Sequence, residues 1–155
     1  MPDNPAMSLN EILASAIDRE RRAQEIYVTY ARATDRQGFS QLLLAMADME
    51  KEHERLLVEL KGKRGWAPAL AAAGAETFSV EETFKEIPFT PDMDYGDFLI
   101  MVVQKEAEAE KLYLRLEALA ATAEARRLFR HLAGEEKKHR DWAQERYDRD
   151  VRRDN

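Results

Sequence analysis

A chain of 155 residues is long enough to bury one sizeable core, and 45% hydrophobic with 35% charged residues describes a globular domain that faces water. Its 24 Lys and Arg against 30 Asp and Glu give a formal charge of −6, with no basic cluster beyond Arg152 and Arg153, which argues against nucleic acid as a partner. The lack of cysteine excludes disulfides, thiolate zinc sites, iron–sulfur clusters and Cys nucleophiles, and leaves open only metals held by harder ligands.

All five prolines (Pro2, Pro5, Pro68, Pro88, Pro91) fall outside two long stretches of helical periodicity. Ser8-Leu9-Asn10-Glu11 reads as a capping box that opens a helix over about 9–35. Arg36-Gln37-Gly38 predicts a tight turn, and a second helix follows over about 39–61 with Gly62 as its C-cap. Residues 62–93 change character, with glycines, prolines, an alanine-rich run and a candidate short helix after Ser79-Val80-Glu81-Glu82; they read as a long crossover. Asp94-Tyr95-Gly96-Asp97 opens a third helix over about 95–121, and Thr122 caps a fourth over about 123–148. The pattern predicts an all-α chain, a single domain over 1–155: a four-helix bundle of two helical hairpins joined by one long crossover.

Each helix has an inward stripe at alternating spacings of three and four. The stripes are Leu13, Ala16, Glu20, Ala23, Tyr27, Tyr30, Thr34; Phe39, Leu43, Met46, Glu50, His53, Leu57, Leu60; Leu99, Val102, Glu106, Ala109, Tyr113, Leu116, Ala120; and Ala125, Phe129, Leu132, Glu136, His139, Ala143, Arg146. Near its middle each carries a glutamate where a bundle wants Leu or Val. Two add a histidine three residues later. One offset of 86 residues carries Glu20 onto Glu106, Tyr27 onto Tyr113, Glu50 onto Glu136 and His53 onto His139. Two copies of one hairpin about a pseudo-twofold axis would bring all of these to one level.

Four ionised glutamates on inward faces would repel one another and take up protons, since burying each charge costs several kcal/mol. Two divalent cations cancel the four charges and leave the histidines neutral, as ligation requires. The i, i+3 spacing puts Glu and His on adjacent turns of one face, within reach of one ion. Oxygen-rich, nitrogen-poor ligation suits iron or manganese, and accepts zinc. The candidate metal ligands are therefore Glu20, Glu50, His53, Glu106, Glu136 and His139.

A lone Glu-x-x-His is weak, because surface helices produce it often; two on core stripes, each matched by a stripe Glu, are not. Glu52, Glu54, Glu108, Glu110, Glu117 and Glu135 fall off the stripes and read as solvated faces, as does His131. Tyr27 and Tyr113 lie two turns beyond Glu20 and Glu106, ~10 Å along the axis. They are either core residues bonded to some carbonyl or donors to a ligand carboxylate on another helix. Met46, Met49 and Trp142 read as core or interface filler. Gly134, at ~1 kcal/mol against Ala in a helix interior, either admits a close neighbour or has no role.

These residues resemble the ferritin-like superfamily and, within it, the rubrerythrin di-iron domain. AIDRERRAQEIYVTYA looks like the first rubrerythrin helix, MEKEHERL and GEEKKHRDW like the second and fourth, and the likeness covers the chain apart from the 62–93 crossover. The resemblance implies that Glu50 and Glu136 bridge two irons, that Glu20 and His53 complete one ion, and that Glu106 and His139 complete the other. This symmetric set is closer to the bacterioferritin ferroxidase centre than to typical rubrerythrin, which has a further glutamate where this chain has Ala109 and a glutamate where it has His139. With no Cys the chain has no rubredoxin iron of its own, so an external electron donor is implied.

The expected protein is a rubrerythrin-like non-haem di-iron oxidoreductase acting on peroxide or dioxygen. Its rivals are a ferroxidase or iron-handling protein, a quinone or tRNA hydroxylase, and a non-enzymatic binding or sensor protein stabilised by metal. Only about seven residues follow the fourth helix, which disfavours a ferritin-type storage shell. No apolar run approaches the ~20 residues of a membrane span, and MPDNPAMSLNE has neither a basic n-region nor a hydrophobic h-region, so a cytoplasmic protein is expected. The apolar stretch Trp66-Ala67-Pro68-Ala69-Leu70-Ala71-Ala72-Ala73 is expected to pack along the bundle and contribute to a twofold homodimer.

Overall fold

Ser8 starts the first helix: its side chain accepts from the backbone of Glu11 at 3.1 Å while the Glu11 carboxylate accepts from the backbone of Ser8 at 2.9 Å. Losing such a cap costs ~1 kcal/mol. In this computed structural model, which describes residues 8–67 and 88–152, helix α1 spans Leu9–Ala33, α2 Gln37–Lys61, α3 Tyr95–Leu119 and α4 Ala123–Arg146. Thr122 caps α4 by accepting from the backbone of Ala125 at 3.1 Å. The candidate helix after Ser79 and the stretch Pro68–Ala73 lie outside the described residues.

Two local expectations are corrected. Gln37 and Gly38 belong to α2, so the turn is Thr34 to Arg36, where Thr34 Oγ1 accepts from the Arg36 backbone at 3.3 Å. Gly38 has no positive φ to mark a turn. The fourth helix passes at Arg146 into a π-helical turn, Tyr147–Val151. That wider turn brings Asp150 to the Tyr95 hydroxyl at 2.7 Å and lays Val151 on α3 at Gly96, where a Cβ would meet Val151 Cγ1 at 3.2 Å.

The stripes bury as read, apart from their last residues in α1 and α4. Thr34 is half-buried as the C-cap, and Arg146 sits over the Phe39 ring at 5.3 Å. The apolar residues form two clusters. One joins Leu9, Leu13 and Ala16 to Leu57 and Leu60, to Leu116, and to Ala125 and Phe129. The other joins Tyr27 and Tyr30 to Phe39 and Leu43, to Phe98 and Val102, and to Ala143. The start of α1 thus shares an end with the finish of α2 and α3, so α1 runs antiparallel to both. The result is the predicted all-α bundle of two hairpins.

It follows that α2 ends at one pole and α3 begins at the other, ~37 Å away along 25-residue helices. Trp66 anchors the chain at the first pole, 3% exposed, against Phe129, its carbonyl accepting from Ala121 at 2.8 Å. At the second pole Phe89 packs on Phe98, and the Met93 carbonyl accepts from the Tyr30 hydroxyl at 3.0 Å. Among the described residues no helix is long and apolar enough to cross a membrane.

Candidate metal centre

Between the two apolar clusters lies one polar layer. Glu20, Glu50, His53, Glu106, Glu136 and His139 meet there, each at most 3% exposed. Every helix supplies its mid-stripe glutamate, and the antiparallel hairpins bring the four to one level from both directions. His53 Nδ1 lies 2.9 Å from Glu136 Oε1, 3.7 Å from Glu50 Oε2 and 3.9 Å from Glu20 Oε2. His139 Nδ1 lies 2.7 Å from Glu50 Oε1, 3.7 Å from Glu136 Oε2 and 3.8 Å from Glu106 Oε1. The ligand-type atoms fall into two quartets, Glu20, Glu50, His53, Glu136 and Glu50, Glu106, Glu136, His139, each within 4.8 Å of one another. Glu50 and Glu136 belong to both.

Without metal, protons replace the missing charge. Burial and then the charges of Glu50 and Glu136 push the Glu20 carboxyl well above the usual range, and the same causes raise Glu106. Burial would also raise Glu50 and Glu136, yet close contacts with the protonated carboxyls and the two imidazoles hold both below it. The histidines respond in the opposite sense. Burial favours their neutral form, but the carboxylates around them lift His53 to about 10 and His139 to about 12. Two imidazolium ions then face two carboxylates and two carboxylic acids, a neutral set.

That arrangement leaves much unpaired. Glu20 Oε2, both oxygens of Glu50, Glu106 Oε2, Glu136 Oε2 and His139 Nδ1 are buried without a hydrogen-bond partner. His139 Nδ1 and Glu50 Oε1 sit 2.7 Å apart and still make no directed bond, so both are turned toward a common point. Each orphaned buried polar atom costs ~1–3 kcal/mol. Two divalent cations would satisfy all six and balance four carboxylates. The residues fit the di-metal group.

The tyrosines stand over the outer glutamates in a crossed pattern. The Tyr27 hydroxyl donates to Glu106 Oε1, and the Tyr113 hydroxyl donates to Glu20 Oε1. Ala109, fully buried, adds no carboxylate to the layer, and Glu110 beside it turns away to Arg140 at 3.2 Å. Glu52, Glu54, Glu117 and Glu135 engage Arg55, Arg21, Arg130 and Lys138 at 2.7 to 3.2 Å near the surface.

Three neighbours escaped the stripe reading. Arg19 reaches across to donate to the Lys105 carbonyl, with its second terminal nitrogen buried and unpaired. Burial opposes that cation, but the charges of Glu106, Glu136 and Glu20 hold it firmly protonated. Met49 is not mere filler, since its sulfur lies 3.2 Å from His139 Nε2. His131 is exposed, yet its ring stands edge-on to His53 with centroids 6.4 Å apart. The 86-residue offset held a signal for Arg19, whose counterpart is the basic Lys105. Gly134 admits no neighbour, because a Cβ there would meet nothing within 4 Å.

The sequence model of the Rubrerythrin family matches residues 11–147. The chain belongs to the rubrerythrin family. Among curated proteins no sequence matches it. Among solved structures, this rubrerythrin-family bundle is similar to a Thermotoga maritima protein described as ferritin-like diiron-carboxylate, with a TM-score of 0.72, 18% identity, and coverage of 91% of this chain and 95% of that one. It is also similar to a hypothetical protein from Pyrococcus furiosus, with a TM-score of 0.68, 25% identity, and coverage of 92% and 89%. The fold is therefore ferritin-like, and this family member buries a Glu/His group able to bind metal ions.

Proposed function

We propose that this rubrerythrin-family protein is a non-haem di-iron oxidoreductase that reduces peroxide or dioxygen with electrons from an external donor protein. The observation that carries the reading is the pair of buried quartets sharing Glu50 and Glu136. Glu50 and Glu136 would hold both ions, Glu20 and His53 would complete one set, and Glu106 and His139 the other. Oxygen-rich, nitrogen-poor ligands suit iron, with manganese or zinc as substitutes.

Bound iron supplies one electron per ion and Lewis acidity toward an O–O bond. The chain supplies the setting. Four carboxylates neutralise two divalent ions, and the apolar clusters on both sides exclude bulk water. Tyr27 and Tyr113 each hold a hydroxyl proton against an outer ligand oxygen and keep that carboxylate in place. No cysteine is present to ligate an electron-transfer iron, so the donor centre lies outside these 155 residues. A cytoplasmic homodimer belongs to the same reading, supported by the apolar Trp66–Ala73 stretch; a monomer by light scattering would remove the dimer.

The test is stopped-flow absorbance of the anaerobically reduced, iron-loaded protein, mixed separately with hydrogen peroxide and with oxygen-saturated buffer. Rapid oxidation followed by arrest after one cycle, relieved by an added reductant, is expected. If neither oxidant changes the iron spectrum within minutes, the enzyme reading gives way to a structural metal.

A second reading, an iron-handling ferroxidase, is favoured by the symmetric ligand set and by Ala109, buried where a further glutamate would stand. Repeated ferrous additions separate the two. A ferroxidase passes on each oxidised pair and accepts more, whereas the oxidoreductase stays loaded with its two ions.

A further inference from the structure

The pseudo-twofold that relates the two quartets fails at their outer edge. His139 turns Nδ1 into the carboxylate layer, 2.7 Å from Glu50 Oε1, and turns Nε2 to the Met49 sulfur at 3.2 Å. The Trp142 ring stands beside it with centroids 5.5 Å apart, and His139 is fully buried. The 86-residue offset places Glu135 opposite Met49 and Leu56 opposite Trp142. Glu135 is occupied with Lys138 at 3.2 Å, and the neighbour of His53 is the exposed His131. One imidazole has the thioether of the half-buried Met49 on its outer nitrogen; its twin has none.

A neutral imidazole carries one N–H, and the bond made by one nitrogen decides what the other can do. A metal-ligating histidine donates its outer N–H to a fixed acceptor, most often a carboxylate, a carbonyl or water, which sets the tautomer and the ring angle. His139 is fully buried, so bulk water does not reach its ring, and the only partner within reach of Nε2 among the described residues is the sulfur. A thioether is a weak acceptor and no donor at all. Facing it, Nε2 gains only by carrying the proton.

We propose that Met49 fixes neutral His139 as its Nε2–H tautomer, which aims the Nδ1 lone pair toward Glu50, Glu106 and Glu136, the other members of its quartet. Met49 is thus a positioning residue for one of the two metal positions, and the inference rests on the metal-centre reading above. Because sulfur accepts weakly, it orients the ring while leaving it less electron-rich than a carboxylate partner would. The two positions are unequal for that reason, although their ligands match.

The experiment uses zinc alone, which is redox-silent, with the full chain and its Met49→Leu and Met49→Gln variants. Leu keeps the apolar bulk and removes the acceptor; Gln returns an acceptor as an amide carbonyl. Binding is followed by calorimetric titration, and the imidazoles by nitrogen-15 NMR of the zinc-loaded protein, readable because the chain has three histidines. Wild type is expected to bind two zinc ions and to show a slowly exchanging His139 Nε2 proton. In Met49→Leu one of the two ions should bind about 10-fold more weakly, the scale for a lost outer partner, and the proton should exchange freely. Met49→Gln should restore both signals. Wild-type affinity and exchange in Met49→Leu would overturn the inference. So would a Met49→Gln as weak as Met49→Leu, which assigns the loss to packing. A wild type that binds no zinc brings down the metal-centre reading itself.

Discussion

Tyr27 on α1 donates its phenol proton to Glu106 on α3, 79 positions along the chain, and Tyr113 on α3 returns the same bond to Glu20 on α1. Each hairpin thereby steadies the outer ligand of the other. Removing one hydroxyl leaves a buried carboxylate oxygen without its donor, so Tyr27→Phe and Tyr113→Phe should each cost ~1–3 kcal/mol in denaturant unfolding of the apo protein. The metal effects should be crossed. Tyr27→Phe should weaken the ion held by Glu106 and His139, and Tyr113→Phe the ion held by Glu20 and His53, each by about 10-fold in calorimetric titration. Equal losses at both positions in both variants would contradict the crossed pattern.

Metal binding should expel protons. Near pH 7 the apo site holds protons on both histidines, raised to about 10 and about 12, while burial and mutual repulsion push Glu20 and Glu106 the same way, well above 4.5. Ligation needs these protons gone, so loading two ions should release at least the two imidazolium protons per chain. Titrations in buffers of different ionisation enthalpy measure the number. Glu50→Ala or Glu136→Ala should lose both ions, because each carboxylate sits in both quartets. A Glu50→Ala chain that keeps two tightly bound ions would refute bridging.

The stripe glutamates were legible because a bundle seam has only one reason to interrupt Leu with Glu at the same height on every helix. The 86-residue offset then paired Tyr with Tyr and Glu-x-x-His with Glu-x-x-His. Arg19 was not legible: its Cα lies off the stripe, and only its long side chain carries the cation past Glu20 to Lys105. Met49 also lies off the stripe, and its contact runs sideways to a helix in the other hairpin, which no single-helix periodicity encodes. The start of α2 was misplaced because glycine at position 38 reads equally as a turn or as a first helical turn.

Apo stability should fall as pH rises from about 5 to 8. Glu20 and Glu106 are raised in the folded chain, so their stabilisation is complete below 4.5 and drains away above it. His53 and His139, raised from 6.5, add a fall that begins near 6.5 and continues toward 10 and 12. Glu50 and Glu136 are lowered; their contribution is present above 4.5 and is lost only in acid. Above pH 5 the two lowered carboxylates are ionised in both states and drop out, so the four raised groups decide the sign and the folded apo state binds more protons than the unfolded chain. Thermal melts of the apo protein at intervals across that range check it. A melting temperature that climbs would mean that the carboxylates are not clustered in the core.

Gly134 should be replaceable with profit. It lies on the exposed side of α4, two residues before Glu136, in a helix interior where glycine costs ~1 kcal/mol against alanine. A Cβ built there meets nothing within 4 Å, so alanine adds helix propensity without strain. It also narrows the freedom of the unfolded chain, which works in the same direction. For a chain of this size the gain corresponds to a rise of about 2–4 °C in melting temperature. The two-ion stoichiometry should not change, since the new methyl points away from the carboxylate layer. Differential scanning calorimetry of Gly134→Ala, with and without metal, decides the matter. A lower melting temperature would show that the space is filled in solution, by a second chain or by the crossover, and that the glycine is there to admit it.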